Sequence, residues 1–343
     1  MQNSLNFENQ LRWDFNKLYN ENLNYNYKLF FAKEINNLKQ NFFYGDSGYE
    51  AIKPVLQVID RFNRTKNLEE SDYVFVPHPW VLIKKNFDYL RYLNELSLKV
   101  PLLICNTDDT SPKCDLPNTL EIRTFLHPKE KIHRKIVFPY PAKSKNFTSR
   151  TWRDVPQISF IGYVPKLTLG TLTSKSISFL HSPFKSSVYL NRKITVAKLN
   201  RLQSQFKVVN IKRNKFTLSL NNLSLLSDQA TFDSNLMESD YIICPRGFGN
   251  TSIRFYETLS SGATPVLVDS GSPLPVVSND NFWNDNIVKL GLFANWSSII
   301  SADWNNLRFG DNYINRQIEN NKMFSKELEI QKYTELIFEK YIF

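Results

Sequence analysis

Short apolar runs alternate with helix-length amphipathic segments along much of the chain. In the first half, Tyr73–Pro77, Pro101–Cys105 and Ile136–Pro139 read as strands, with helices over Ala51–Phe62 and Asn86–Leu98. In the second half, Ile158–Gly162, Lys207–Val209, Tyr241–Cys244 and Pro265–Val268 read as strands and Arg192–Gln205 as a helix. Such alternation predicts α/β units with parallel sheets and right-handed crossovers. The break that most resembles a linker is Tyr140–Asp154, polar and basic without periodicity. At 343 residues the chain exceeds a single core. The expected division is a domain over residues 1–150, a second over 151–312, and a long polar-amphipathic helix over Tyr313–Tyr341 within a closing segment, 313–343, that packs back toward the first. No internal repeat or low-complexity tract interrupts this pattern.

One stretch carries chemistry. From Tyr241 to Pro275 the chain reads YIICPRGFGNTSIRFYETLSSGATPVLVDSGSPLP, the outline of a β-loop-α-β unit. Of only ten glycines in the protein, Gly247, Gly249, Gly262 and Gly271 fall here, which suggests tight turns or close approach of a ligand. Thr251 and Ser252 are placed to cap a helix starting near Ile253, whose first-turn amides then face whatever lies before the loop. Arg246 in the loop and Arg254 in the first turn add two forked cations, a combination suited to a diphosphate. Glu257 falls on the Arg254 face one turn deeper, where a carboxylate can accept hydrogen bonds from ribose hydroxyls. The same spacing also fits an ordinary i,i+3 surface ion pair. The loop is neither a Walker loop, lacking Gly-Lys-Ser/Thr, nor a dinucleotide fingerprint, lacking the third glycine.

The segment resembles the C-terminal signature of exostosin-type glycosyltransferases: a Cys-Pro-x-Gly loop, a Ser-x-Arg-x-x-Glu helix, a Gly-x-x-Pro-Val strand, an acidic residue, then Leu-Pro. Here these are Cys244, Pro245 and Gly247; Ser252, Arg254 and Glu257; Gly262, Pro265 and Val266; Asp269; and Leu274 with Pro275. Weaker echoes lie in SDYVFVPHPW (Ser71–Trp80), IVFPYP (Ile136–Pro141) and ISFIGY (Ile158–Tyr163). The resemblance implies the GT-B architecture, two Rossmann-like domains facing each other across a cleft. It also implies a nucleotide-sugar donor, UDP-linked, held by the second domain, and transfer to a glycan or glycolipid acceptor at the first. Arg246 and Arg254 would then face the diphosphate, flanked by Gly247, Gly249, Thr251 and Ser252, and Glu257 the ribose.

Transfer with inversion wants a base near the acceptor hydroxyl. Many exostosin relatives carry a His-Asp pair where this chain reads NTDD, so the histidine is missing and Asp108 or Asp109 is the first candidate base. His78 is the second and Asp46 the third. The arginines and helix tip supply positive charge to the leaving diphosphate without a metal, and no cofactor beyond the donor is expected. Loss of the histidine leaves open a non-catalytic nucleotide-sugar or carbohydrate binder on the same fold.

Charge adds a partner question. The net charge is +10, and residues 123–213 hold 19 Lys and Arg against only Glu130 and Asp154. Residues 228–286 hold eight acids against Arg246 and Arg254 alone, which favours a specific role for these two. The basic stretch suits an anionic acceptor or peripheral contact with an anionic membrane. Without aromatic stacking or zinc-finger motifs it argues against nucleic acid. Cys105, Cys114 and Cys244 have neither disulfide-framework nor zinc spacing. MQNSLNFENQLRWDF reads as neither signal peptide nor anchor, unlike the membrane-anchored animal and plant exostosins, and the expected location is cytoplasmic, peripheral at the inner membrane face.

Overall fold

The computed structural model describes residues 28–32, 55, 63–76, 80–106, 113–124, 126, 134–142, 144–145, 147–164, 183–213, 223–247, 252–268 and 271–338. Two compact units emerge. The first comprises Met1–Pro141, Gly271–Asp280 and Lys326–Phe343; the second comprises Ala142–Ser270 and Asn281–Ser325.

Among the described residues the first unit is built on six strands: β1 (Lys28–Phe31), β2 (Asn63–Thr65), β3 (Tyr73–Val76), β4 (Leu102–Cys105), β5 (Thr119–Arg123) and β6 (Lys135–Val137). They lie in the order β2-β1-β3-β4-β5-β6, every pair parallel. Helices α1 (Trp80–Ile83) and α2 (Phe87–Ser97) connect β3 to β4. The Asn86 side chain accepts the Tyr89 amide at 3.0 Å and so fixes the start of α2, while Leu98 forms its C-cap. Tyr89, Leu93 and Leu96 then pack on Val74, Val76, Leu102 and Ile104, alternate residues of β3 and β4 that share one face.

The second unit repeats the design with β7 (Gln157–Tyr163), β8 (Lys207–Arg213), β9 (Tyr241–Pro245), β10 (Thr264–Val268) and β11 (Val288–Leu290). The order is β8-β7-β9-β10-β11, again all parallel. Its helices are α3 (Pro183–Arg201), α4 (Leu223–Glu238), α5 (Ile253–Ser260), α6 (Phe282–Asp285), α7 (Trp296–Leu307) and α8 (Asn312–Met323). Every residue of β9 and β10 is buried, as a parallel sheet covered on both faces requires. Ile158, Phe160, Tyr241, Ile243, Val266 and Val268 form one side of the core, packed on Val196 and Leu199 of α3 and on Trp296, Ile300 and Trp304 of α7. Pro265 is tolerated in this interior strand because the Thr264 amide already turns to Asp240 on the β9 side at 2.9 Å. The opposite neighbour, β11, begins pairing only at Val266.

Counted from its own first strand, each sheet runs 2-1-3-4-5, with a sixth strand added in the first unit. This is the doubly wound α/β order, with a topological switch between first and third strands. In the second unit that switch lies between β7 and β9.

Two expectations differ from the structure, and a third lies almost wholly outside the described residues. Strand β5 is absent from the strands expected above, because its buried Glu121 and Arg123 make TLEIR read as polar. The single helix expected over Tyr313–Tyr341 is broken: α8 passes through a π-helical turn (Phe324–Leu328) to Glu329, whose backbone is extended (φ −61°, ψ 126°), before α9 (Ile330–Ile337). Of Ala51–Phe62 only Val55 lies within the described residues. Among the described residues no helix is long and apolar enough to cross a membrane.

Candidate nucleotide-binding site

Strands β7 and β9 pair only through Ile158–Tyr241 and Ser159–Ile242. Each then continues with another partner, β7 along β8 to Tyr163 and β9 along β10 to Pro245. The sheet is therefore parted at its carboxyl edge at the switch point, where doubly wound sheets receive ligands. Arg246 and Gly247 follow directly from β9, and the Arg246 side chain is 5% exposed. Across the parting, Arg192 of α3 donates from Nη1 to the Tyr163 carbonyl at 3.0 Å, a cation at this edge for which the sequence gives no signal.

Helix α5 brings the remaining motif residues. Ser252 occupies the N-cap position (φ −137°, ψ 125°) but its hydroxyl makes no capping bond, contrary to the expectation; its carbonyl accepts the Phe255 amide at 3.0 Å. Phe255, Tyr256 and Leu259 are buried, and Arg254 and Glu257 share a different face. Arg254 Nη1 donates to Glu257 Oε2 at 2.7 Å, with side chains 25% and 14% exposed. This is a part-buried pair rather than a surface one. The Arg254 guanidinium also lies 3.6 Å from the ring centroid of Phe232 on α4, a cation–π stack on a buried aromatic. Next to Phe232, Asp233 accepts from Lys145 Nζ at 2.8 Å. Burial pushes the Glu257 carboxyl above the usual carboxylate range; the charges of Arg254 and then Lys145 pull it back, and Asp233 adds slightly to the rise.

The far end of α5 is closed by a Schellman turn: the Gly262 amide donates to Leu259 and the Ala263 amide to Thr258, at 2.9 and 3.2 Å. Gly262 has φ +72°, and a Cβ there would sit 2.5 Å from the Phe147 ring. This glycine serves the turn, not a ligand.

Of the motif residues, Arg246 and Gly247 follow β9, Ser252 opens α5, and Arg254 and Glu257 pair on that helix. Gly249 and Thr251 lie outside the described residues, as do Asp108, Asp109, His78 and Asp46. Asn106, the first residue of NTDD, directly follows β4 and donates to Glu121 Oε2 at 2.8 Å, and the same oxygen takes Arg123 Nη1 at 2.8 Å, all three buried. The cysteines offer no nucleophile, since burial pushes the thiols of Cys105, Cys114 and Cys244 each to about 12. Among the described residues no group of three or more His, Cys, Asp or Glu is arranged to hold a metal. Of the 19 cations in the basic stretch, Arg123, Arg134, Lys145, Arg150, Arg153, Arg192 and Lys198 each have an internal partner, so the run is not one free basic face.

No protein-family model matches the chain. No curated protein matches it either. Among solved structures, it is similar to Alr3699/HepE of Anabaena, solved with UDP and glucose, at 11% identity and a TM-score of 0.39 over 92% of this chain and 99% of that one. It is also similar to MurG of Acinetobacter baumannii at 10% identity and a TM-score of 0.36, over 91% and 99% of the two chains. The glycosyltransferase SnogD of Streptomyces nogalater follows at 11% and 0.31, over 87% and 81%.

Proposed function

We propose that the protein is a glycosyltransferase of GT-B architecture and exostosin type, moving a sugar with inversion from a UDP-linked donor to a glycan or glycolipid acceptor. The observation that carries this reading is the position of the motif. Arg246 leaves β9 at the parted carboxyl edge between β7 and β9, where a doubly wound sheet binds a nucleotide, and Arg254 and Glu257 pair on the helix that follows, which supports the reading. Arg246 and Arg254 stabilise the leaving diphosphate as it develops charge, and Glu257 holds the ribose hydroxyls. Because Arg254 and Glu257 hold each other at 2.7 Å, donor binding exchanges part of that ion pair for contacts to ligand. Asp108 or Asp109, with His78 as the alternative, takes the proton from the acceptor hydroxyl. No metal ion is required by this scheme, and the enzyme acts in the cytoplasm against an acceptor that is anionic or held at a membrane surface.

The test is a thermal-shift and calorimetric screen of nucleotide sugars, followed by turnover with isotope-labelled donor. A saturating donor raises stability by mass action. Binding without any transfer or donor hydrolysis identifies the alternative, a nucleotide-sugar binder that has lost its chemistry. Absence of binding by every nucleotide sugar overturns both.

A further inference from the structure

Two ion pairs meet on α4, and only one of them belongs to the sequence motif. Phe232, 2% exposed, carries the Arg254 guanidinium on its ring at 3.6 Å. Its neighbour Asp233 binds Lys145 Nζ at 2.8 Å. Lys145 belongs to the segment that opens the second unit, three residues after Ala142, and reaches α4 across 88 positions of sequence. The Lys145 side chain is 19% exposed while that of Asp233 is 41% exposed, so the lysine is the more enclosed partner. An enclosed lysine costs desolvation and is kept where its charge acts on a neighbour.

The geometry points to Lys145, Asp233 and Phe232 as the positioning set of the donor site: Phe232 fixes the plane of Arg254, and the adjoining Lys145–Asp233 pair sets the charge around the Arg254–Glu257 pair. This rests on the proposed reading of Arg254 and Glu257 as donor contacts. Burial favours the neutral carboxyl at Glu257, and the charges facing it are Arg254 from its own helix, Lys145 from the opening segment and Asp233 from α4. Two cations oppose burial and one anion assists it. A protonated Glu257 would keep one acceptor oxygen and lose the ionic bond that orients Arg254.

The experiment uses the full chain and two readouts. The first follows the Glu257 carboxyl by carbon NMR against pH without ligand, assigned by its loss in Glu257→Gln. The second is UDP affinity by calorimetry over the same pH range. In Lys145→Met the carboxyl titrates at higher pH than in the wild type, in Asp233→Asn at lower pH, and Lys145→Arg restores the wild-type position. UDP affinity of Lys145→Met falls about two- to fivefold at pH 7, and its acid-side loss of binding moves to higher pH with the carboxyl. A merely structural contact would not give opposite shifts from its two partners. An unmoved Glu257 titration in both variants overturns the inference even if UDP binds normally. If the titrations move as stated but neither UDP nor any nucleotide sugar binds the wild type, the positioning set stands and the donor-site reading falls.

Discussion

The two ends of the second sheet both carry buried charge, and they use it differently. At the amino end, the Asp240 carboxylate, 2% exposed, accepts the Gln157 amide at 2.7 Å and the Tyr313 hydroxyl, and forms an ion pair with Arg153 Nε at 3.4 Å. Beside it Arg150 donates to the Ser261 carbonyl at 3.1 Å, and its own amide and carbonyl are both taken by the Gln317 side chain. Trp152 stacks on Trp304 at 4.0 Å nearby. These groups join the opening segment, β7, β9 and α8 into one body. At the carboxyl end, Arg254 and Glu257 hold each other while keeping 25% and 14% of their side-chain surface open. Burial of charge therefore does not mark a site by itself. Direction along the strands separates the end that ties the unit together from the end that can receive a ligand.

That contrast can be broken by substitution. Asp240→Ala removes the centre of the closed end and leaves Arg153 and the Gln157 amide without their partner. The expected loss is about 3–5 kcal/mol of stability, read from urea unfolding. A loss below about 1 kcal/mol would place the network among ordinary surface contacts. At the open end the effects reverse. Arg254→Ala and Glu257→Gln each weaken UDP-sugar binding by about 1.5–3 kcal/mol, roughly ten- to a hundredfold, with the fold intact by circular dichroism. Unchanged donor affinity in both would remove the core of the functional reading. Gly262→Ala, at the turn leading into the closed end, costs about 1–3 kcal/mol in stability through its positive φ and the Phe147 contact, without altering donor affinity at saturation.

Acidity sharpens the contrast further, because at Glu257 stability and binding respond with opposite sign. Its folded-state pKa is raised, chiefly by burial. The neutral form is thus favoured by folding: the contribution to stability is complete below the ordinary carboxylate pKa and is lost as pH rises through the raised value. Lowering pH through that window should firm the open end while releasing the donor, and paired unfolding and binding titrations of wild type and Glu257→Gln check it. In the variant both dependences on this group vanish. The smallest expected effect is none: EDTA should leave transfer unchanged, since the arginines provide the charge. Loss on chelation, restored by manganese, would overturn the mechanism.

Much of this is legible in the amino-acid sequence wherever one physical signal dominates. Strands β9 and β10 are continuous apolar runs because both faces are covered, and α2 carries its own Asn86 cap. The motif's two cations stand out against an acidic background, and Glu257 follows Arg254 at helical spacing, so the residue types and their order single out all three. Strand β5 gives no such signal, because Glu121 and Arg123 satisfy each other inside the sheet and hide a buried strand behind a polar pattern. The break at Glu329 leaves no trace either, since no glycine or proline marks it. Lys145 and Asp233 are hidden for a third reason. Their pairing is set by tertiary packing across 88 positions, and Lys145 lies in a segment with no periodicity to read.

The order in which the chain returns to its first unit has a consequence for synthesis. Gly271–Asp280 and the residues from Lys326 onward belong to that unit. Tyr333, fully buried, packs edge-on against Phe138 at 5.1 Å and donates its hydroxyl to the Val137 carbonyl at 3.1 Å, and the Ser278 amide donates to Glu327 at 2.8 Å. On the ribosome the first unit is therefore begun first but lacks its closing helix until Ile330–Ile337 emerges. Until then Phe138 and its neighbours stay uncovered, and a stalled or truncated chain exposes them to chaperones and proteases. The half of the protein made first is the half finished last.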